Sequence, residues 1–279
     1  MDTCAACLHW QLRAPCAACA ATSPPACAAC AAAASVAPLC AGCAASAAAP
    51  HVVVWDFDCS LIEENSDTHI PALFSPDFTA LINAERSPGS WTALMARIFV
   101  AMHAAGVAAP AIEAAAAALP VAADALGAVA DASADGAPQY IVSDANSVFI
   151  DRFVAAHGLA DTFRGRVVTN PAAFDAAGCL RLAPYTPAAA PHGCARCPAN
   201  LCKSRALAAL GLAREGGVAY VGDGGGDECA ARALGRGCVV LARACFPLAK
   251  RLAAAPPAAR VVEWGSYAEL RAALRVARG

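Results

Sequence analysis

From residue 51 onward, short apolar runs alternate with stretches of helical pattern, and this alternation restricts the fold more than any other feature. The predicted strands are VVVWDFD, QYIVSDA, RVVTNP, VAYVGD and GCVVLA. The predicted helices include an Ala/Leu-rich region from about residue 71 to residue 130, followed by SVFIDRFVAAHG, KSRALAALG and ECAARALG. Strands that alternate with helices form parallel sheets with helices on both faces. We therefore expect an α/β fold built on a doubly wound, Rossmann-like parallel sheet.

Side chains that can bind phosphate or a metal ion follow three of these predicted strands. They are Asp56 and Asp58 after the first strand, Ser143 and Asp144 at the end of the second, and Asp223 and Asp227 in the GDGGGD loop after VAYV, with Lys203 opening the preceding helix. Ligands of doubly wound sheets bind at the carboxyl ends of the strands. The sequence therefore predicts one site at that edge of the sheet, for a small phosphorylated substrate.

Charge and hydropathy exclude several other classes of partner. The net charge is only −2 and no basic stripe occurs, so we expect no nucleic acid partner. Prolines interrupt the longest uncharged run, so we expect no membrane span. The start, MDTCAACLHWQLRAP, lacks the pattern of a secretory signal. We expect a cytoplasmic protein, while a plastid or mitochondrial transit peptide stays an open alternative because acids are scarce before residue 55.

Residues 1–50 form a second region that is rich in cysteine. Eight of the 16 cysteines lie there, all in CxxC pairs: Cys4, Cys7, Cys16, Cys19, Cys27, Cys30, Cys40 and Cys43. Two such pairs supply the four sulfurs of a structural zinc site, so eight would bind two Zn²⁺ ions, in sequential or interleaved pairing. The alternative is a disordered, alanine-rich repeat. We predict a zinc-binding segment that could recruit a protein partner.

The motifs at the strand ends resemble the haloacid dehalogenase superfamily of phosphatases. The chain has the superfamily's four signatures in order: an aspartate pair followed by a hydroxyl, a serine after the second strand, a lysine, and a GDxxxD loop. The longer strings WDFDCSLIEENSD, IVSDAN, HGCARCPANLCKSRAL and YVGDGGGDECA resemble the phosphoethanolamine/phosphocholine phosphatase family. This resemblance implies a haloacid dehalogenase-like domain over residues 51–279 with a helical cap inserted at about 66–136.

The resemblance and the chemistry together assign catalytic roles to the aspartate pair. Asp56 would be the nucleophile that forms an aspartyl phosphate, and also a ligand of Mg²⁺. Asp58 would be the general acid and base, and the resemblance implies that its backbone carbonyl binds the same metal.

The remaining motif residues would hold the phosphate and the metal. Ser143 and Lys203 would bind phosphoryl oxygens. Asp223 would bind Mg²⁺, which prefers oxygen ligands, and Asp227 would complete and orient the metal site. Three glycines between these two aspartates let the loop approach the site closely.

Two further carboxylates indicate the class of substrate. The resemblance implicates Asp67 and Asp144 in recognition of a substrate amine, and two carboxylates near a phosphate pocket would favour a cationic head group over a neutral alcohol. Trp55 and Trp91 could add contacts with a quaternary ammonium. For Asp67 the alternative is a charge at a helix N-terminus.

Some positions depart from the family pattern, and one cysteine cluster stands apart from the catalytic motifs. Cys59 replaces a common acidic residue, Ser60 a threonine and Gly226 an asparagine, which suggests a looser metal loop. The string CARCPANLC, residues 194–202, offers three thiols that could bind zinc together with His192. Because the family is known for magnesium, we expect a structural or redox role instead.

These observations lead to a Mg²⁺-dependent phosphomonoesterase that acts on phosphoethanolamine or phosphocholine. Within the same class, the alternatives are pyrophosphate, thiamine phosphate and pyridoxal phosphate. An alternative from a different class is a zinc-binding interaction protein whose phosphatase fold has weakened activity.

Overall fold

A computed structural model describes residues 52–85, 91–212 and 217–278 of the chain. The eight cysteines of residues 1–50 lie outside the described residues, so their predicted zinc binding stays a prediction. No helix within the described ranges is long and apolar enough to cross a membrane.

A parallel sheet of six strands forms the centre of the domain. Its strands are β1 (Val52–Trp55), β2 (Gln139–Asn146), β3 (Val167–Asn170), β6 (Val218–Gly222), β7 (Val239–Arg243) and β8 (Arg260–Trp264). They lie in the order β3-β2-β1-β6-β7-β8, and every neighbouring pair is parallel. Strands β4 (Ala172–Phe174) and β5 (Leu180–Leu182) form a separate antiparallel pair. The predicted α/β fold with a Rossmann-like parallel sheet is confirmed.

Helices connect the strands in the alternation that the sequence predicts. Between β1 and β2, the described residues form the α-helices α1 (Ser66–Phe74), α2 (Pro76–Glu85), α3 (Trp91–Ala104), α4 (Ala109–Ala117) and α5 (Ala123–Ala134). The others are α6 (Ser147–Ala156), α7 (Ala160–Phe163), α8 (Lys203–Ala209), α9 (Glu228–Ala233), α10 (Pro247–Ala254) and α11 (Tyr267–Arg278). The predicted cap, residues 66–136, spans α1 to α5, and its division from the core stays a prediction.

Burial on both faces explains why the strands are continuous apolar runs. Successive side chains of a strand point to opposite faces of a sheet. On β1, Val53 and Trp55 belong to one hydrophobic cluster, whereas Val54 belongs to the other. Strands of parallel sheets are covered on both faces, so both sets of positions are apolar.

The carboxyl-terminal part completes the sheet with elements that the sequence analysis did not predict. Strand β8 and helix α11 add the sixth strand and a helix that packs against α5. Arg271 of α11 forms ion pairs with Asp124 and Asp131 of α5. The rings of Trp264 and Tyr267 contact each other at a tilt of 48°, with centroids 5.2 Å apart. The ion pairs join α5 to α11, the helix that follows the sixth strand, although α5 precedes β2 in the chain.

Candidate active site

The chain direction brings the ends of β1, β2 and β6 to one edge of the sheet. These three strands are neighbours, with β1 in the middle. The backbone N–H of Asp56 donates to the carbonyl of Val221 at 2.8 Å, so the pairing of β1 with β6 continues past the end of β1. Asp56 is consequently held beside the loop that carries Asp223 and Asp227.

A short turn, Phe57–Leu61, follows β1 and fixes the position of the first motif. The Asp56 carboxylate accepts from the backbone N–H of Phe57 at 2.7 Å, and the backbone N–H of Leu61 donates to the Asp56 carbonyl at 3.2 Å. Cys59 has a φ of 54°, in the left-handed region that few residues other than glycine adopt. Arg243 donates to the Cys59 carbonyl at 2.7 Å and so supports this turn.

Lys203 joins two carboxylates at the centre of the site. Its Nζ lies 2.8 Å from Asp56 Oδ2 and 2.7 Å from Asp227 Oδ1, and the residue is only 2% exposed. Burial lowers the pKa of Lys203, but the charges of Asp227 and Asp56 outweigh it and hold this pKa well above its ordinary value. The lysine is therefore a fixed positive charge next to the predicted nucleophile.

Asp227 is fully occupied as a hydrogen-bond acceptor. Its Oδ1 accepts from Lys203 at 2.7 Å and from the Tyr220 hydroxyl at 2.6 Å. Its Oδ2 accepts from the backbone N–H groups of Asp223 at 3.1 Å and Gly224 at 2.9 Å. Tyr220 did not stand out in the sequence because it occupies an apolar position of β6. These bonds make Asp227 the residue that shapes the loop around Asp223.

Three carboxylates are placed closely enough to bind a metal ion. Asp56, Asp223 and Asp227 each offer an oxygen atom, and these atoms lie within 4.8 Å of one another. Burial, followed by the charge of Asp227, raises the pKa of Asp56 well above its ordinary value and that of Asp223 to about 7. Ser60 donates to Asp223 Oδ1 at 3.3 Å. Because Asp227 already accepts four hydrogen bonds, Asp56 and Asp223 are the carboxylates left to bind Mg²⁺, which prefers such oxygen ligands, and these residues fit the ion.

The side chain of Asp58 lies apart from the three clustered carboxylates. Its Oδ1 accepts from the backbone N–H of Ser66 at 2.9 Å, at the start of α1. Burial, followed by the charge of Asp67, raises the pKa of Asp58 to about 8. A carboxyl group with this pKa is protonated at neutral pH, which is the state that a general acid requires.

The two predicted substrate carboxylates lie near Asp58. Trp91 donates from its indole Nε1 to Asp67 Oδ2 at 2.8 Å, and Asp67 is 3% exposed. Burial raises the pKa of Asp67 to about 7, and the charge of Asp144 acts in the same direction. The Asn146 amide lowers this pKa, although neither its Nδ2 nor Asp67 Oδ1 has a partner within hydrogen-bond geometry.

Ser143 and Trp55 are both fully buried, but they differ in their hydrogen bonds. Ser143 is fully buried on β2, and its Oγ accepts from the backbone N–H of Ala145 at 3.2 Å, so its own proton is left for an acceptor such as a phosphoryl oxygen. Trp55 is also fully buried, and it donates to Gln139 Oε1 at 2.9 Å. The suggestion that Trp55 contacts a substrate head group is therefore wrong, because its ring lies in the core.

His192 is not placed as a fourth metal ligand for the CARCPANLC cysteines. Its Nδ1 accepts from the backbone N–H of Cys194 at 3.0 Å, and its Nε2 lies 2.9 Å from the carbonyl of Pro198. Both ring nitrogens are thus used to close the loop. The group that joins these cysteines is Cys229, which sequence reasoning missed because it lies 27 residues beyond Cys202.

Comparisons with known proteins agree with this geometry. The family described as "Putative Phosphatase" matches residues 51–277. The chain is 32% identical to a thiamine phosphate phosphatase-like protein of Arabidopsis thaliana, over 78% of this chain and 91% of that protein. It is 33% identical to the pyridoxal phosphate phosphatase PHOSPHO2 of Mus musculus, over 78% of this chain and 95% of that protein.

Solved structures show the same fold. A substrate-bound phosphoserine phosphatase superposes with a TM-score of 0.51 at 13% identity, over 77% of this chain and 92% of that chain. A haloacid dehalogenase family hydrolase of Salmonella enterica gives a TM-score of 0.52 at 16% identity, over 73% and 66% of the two chains. The fold is therefore that of haloacid dehalogenase family hydrolases, and the chain belongs to the family described as "Putative Phosphatase" and is a phosphatase.

Proposed function

We propose that the protein is a Mg²⁺-dependent phosphomonoesterase that hydrolyses phosphoethanolamine or phosphocholine through an aspartyl phosphate on Asp56. The observation that carries the substrate is Asp67, a buried carboxylate with one oxygen outside hydrogen-bond geometry. Its neighbours Asp58 and Asp144 are also acidic: after burial, the charge of Asp144 raises the pKa of Asp67, and the charge of Asp67 raises that of Asp58. A substrate ammonium would relieve this repulsion, which a neutral alcohol cannot do.

In the first chemical step, an oxygen of Asp56 attacks the phosphorus atom and the bond to the substrate alkoxide breaks. The leaving oxygen takes the proton of Asp58, whose raised pKa keeps it protonated at neutral pH. Lys203, 2.8 Å from Asp56, favours the ionised nucleophile and offsets charge on the phosphoryl group. The Ser143 hydroxyl donates a hydrogen bond to a phosphoryl oxygen.

In the second step, water hydrolyses the aspartyl phosphate. Asp58, now ionised, removes a proton from the water as its oxygen attacks phosphorus, and the bond to Asp56 breaks. Asp56 and Asp223 would hold Mg²⁺ inside a loop ordered by Asp227, and the ion would supply neutralising charge between carboxylate and phosphoryl oxygens. Free phosphate and the regenerated Asp56 carboxylate complete the cycle.

A second group of substrates is favoured by the names of the relatives. The curated relatives include a thiamine phosphate phosphatase-like protein, a pyridoxal phosphate phosphatase and an inorganic pyrophosphatase 2 of Arabidopsis thaliana. Thiamine phosphate shares the cationic character that Asp67 would select. Pyrophosphate lacks a cation, so Asp67 and Asp144 would repel it.

The alternative from another class is an interaction protein that binds zinc through residues 1–50. Asp56→Asn separates the two, because the substitution removes the nucleophile. An enzyme then loses turnover on every substrate, whereas an interaction protein keeps its partner.

The experiment is phosphate release in Mg²⁺ by the full chain with phosphoethanolamine, phosphocholine, thiamine phosphate, pyridoxal phosphate, pyrophosphate and glycerol phosphate. We expect the two amine phosphates to be preferred, and Asp56→Asn to reduce all turnover by roughly a thousandfold or more. Asp67→Asn should raise KM for phosphoethanolamine by about tenfold or more and leave that for glycerol phosphate nearly unchanged. Asp77→Asn, an exposed carboxylate on α2, is the matched control.

Each other result has a defined meaning. Preference for thiamine phosphate, pyridoxal phosphate or pyrophosphate would contradict the proposed substrate but support the proposed phosphatase mechanism. Equal KM changes for phosphoethanolamine and glycerol phosphate in Asp67→Asn contradict amine recognition. No turnover on any substrate supports the interaction protein.

A further inference from the structure

Four cysteines that take no part in the proposed chemistry converge next to the active site. They are Cys194, Cys197, Cys202 and Cys229, and their sulfur atoms all lie within 4.8 Å of one another. The Sγ of Cys229 is 3.6 Å from that of Cys194 and 3.9 Å from that of Cys202. Cys202 is buried and the other three are partly buried. Four thiols gathered from two distant stretches of chain therefore face a common centre.

The sulfur separations match a metal site and differ from those of a disulfide. A disulfide joins two sulfurs at about 2.05 Å. Four sulfurs placed tetrahedrally at about 2.3 Å from Zn²⁺ lie about 3.8 Å apart, by the geometry of a tetrahedron. The distances of 3.6 and 3.9 Å fall on either side of this value. We propose that these four cysteines bind one structural Zn²⁺ ion.

Hydrogen bonds around the sulfurs support thiolate ligands. The Cys194 sulfur accepts hydrogen bonds from the backbone N–H groups of Arg196 and Cys197. Such N–H donors to the first sulfur are what a tight Cys-x-x-Cys turn provides. The Ser204 hydroxyl lies 3.0 Å from Cys229 Sγ and 3.2 Å from Cys202 Sγ, as an outer group that orients metal ligands does.

The ligand set is closed and distinct from the magnesium site. Four cysteine ligands complete a tetrahedron, which is typical of structural rather than catalytic zinc. Thiolates select Zn²⁺ and carboxylate oxygens select Mg²⁺, so the two clusters would not compete for one ion. This inference does not depend on the identity of the substrate.

The cluster lies next to two active-site residues, so the zinc would hold these residues in place. Cys202 directly precedes Lys203, and Cys229 follows Asp227 by two residues. A zinc ion bound to both cysteines would tie the start of α8 to the start of α9. It would thereby hold Lys203 and Asp227 at the 2.7 Å separation that the site requires.

The first test is the zinc content of the full chain by inductively coupled plasma mass spectrometry. We compare Cys229→Ser with Cys245→Ser, an exposed cysteine outside the cluster. Both variants keep residues 1–50, so any zinc bound there cancels in the difference. We expect Cys229→Ser to contain one Zn²⁺ fewer per chain than Cys245→Ser. Equal zinc content in the two folded variants would overturn the proposal.

A second test needs no variant and covers a Cys229→Ser protein that fails to fold. The unmodified full chain is treated with iodoacetamide, and the alkylation of each cysteine is mapped by mass spectrometry before and after zinc is removed with a strong chelator. We expect the four cysteines to be protected together and to become reactive as zinc appears in solution. A cross-linked peptide containing Cys194 and Cys229, or immediate alkylation of all four, would contradict zinc binding.

Discussion

The two halves of the site are built in opposite ways. In the phosphate half, Lys203 bridges Asp56 and Asp227, and Asp227 accepts four hydrogen bonds in all. In the substrate half, burial followed by the charge of Asp67 raises the pKa of Asp58, and Asp67 has an oxygen outside hydrogen-bond geometry. In the phosphate half a buried lysine offsets part of the carboxylate charge, whereas the carboxylates of the substrate half repel one another.

This difference separates chemistry from recognition. The phosphate half is preorganised, because Lys203 and the hydrogen bonds to Asp227 fix its carboxylates before any substrate arrives, and such preorganisation lowers the cost of reaching the transition state. In our proposal, a substrate cation offsets the charge of the substrate half. Substitutions in the first half should therefore change stability and turnover, and those in the second should change KM.

The largest effect is expected from removal of the bridging cation. Lys203→Met leaves Asp56 and Asp227 buried without their shared partner, and a broken buried pair costs about 3–5 kcal/mol. We expect the free energy of unfolding in urea to fall by about that amount, with loss of turnover. Lys250→Met, at an exposed position of α10, is the matched control. Equal stability of the two variants would mean that the phosphate half is not balanced by Lys203.

A smaller effect should follow from crowding Asp227 without changing any charge. A Cβ at residue 222 would lie 2.7 Å from the carboxyl carbon of Asp227, whereas a Cβ at residue 224 would lie 3.6 Å from the nearest atom, Asp227 Oδ2. Gly222→Ala should lower the free energy of unfolding by about 1–3 kcal/mol, since Asp227 has no room to move. Gly224→Ala, in the same loop, should cost much less. Similar urea midpoints for the two variants would contradict a rigid Asp227.

The smallest effect concerns the pH dependence of recognition. Asp67, with a pKa of about 7, is neutral below that pH and anionic above it. An anionic carboxylate attracts the substrate ammonium, so KM for phosphoethanolamine should fall severalfold as pH rises from about 6 to about 8. The ratio to KM for glycerol phosphate corrects for ionisation of the phosphate group. Asp67→Asn should flatten this ratio, and a ratio that still changes with pH would assign the titration to Asp58.

Alternation of apolar runs and helical stretches was sufficient to predict the parallel sheet. It also led to the prediction of a site at one edge of the sheet, because Asp56, Ser143 and Asp223 lie at or just after the ends of strands that must meet. Strand β8 and helix α11 lie beyond the last motif, and no catalytic residue marks them. The alternating RVVEW of β8 and the amphipathic YAELRAALRVAR of α11 are the signals that would have revealed them.

The residues that complete the site were harder to predict because they act across long separations. Trp91 meets Asp67 over 24 residues, and Cys229 meets Cys194 over 35. Tyr220 occupies an ordinary apolar strand position, and only the fold shows that its hydroxyl reaches Asp227. His192 appeared beside the cysteines in sequence, yet backbone groups occupy both of its ring nitrogens. Sequence proximity therefore predicted the motif residues better than their partners.

The hydrogen bond from Trp91 to Asp67 also makes the substrate half optically observable. Trp55 and Trp264 are buried in the core, whereas Trp91 is partly buried and its indole N–H contacts Asp67, the carboxylate that we propose recognises the substrate. A cation that binds Asp67 changes the electric field at the Trp91 ring. Intrinsic fluorescence of the protein consequently carries a signal of head-group occupancy that is independent of turnover, and a catalytically inert variant would report it equally well.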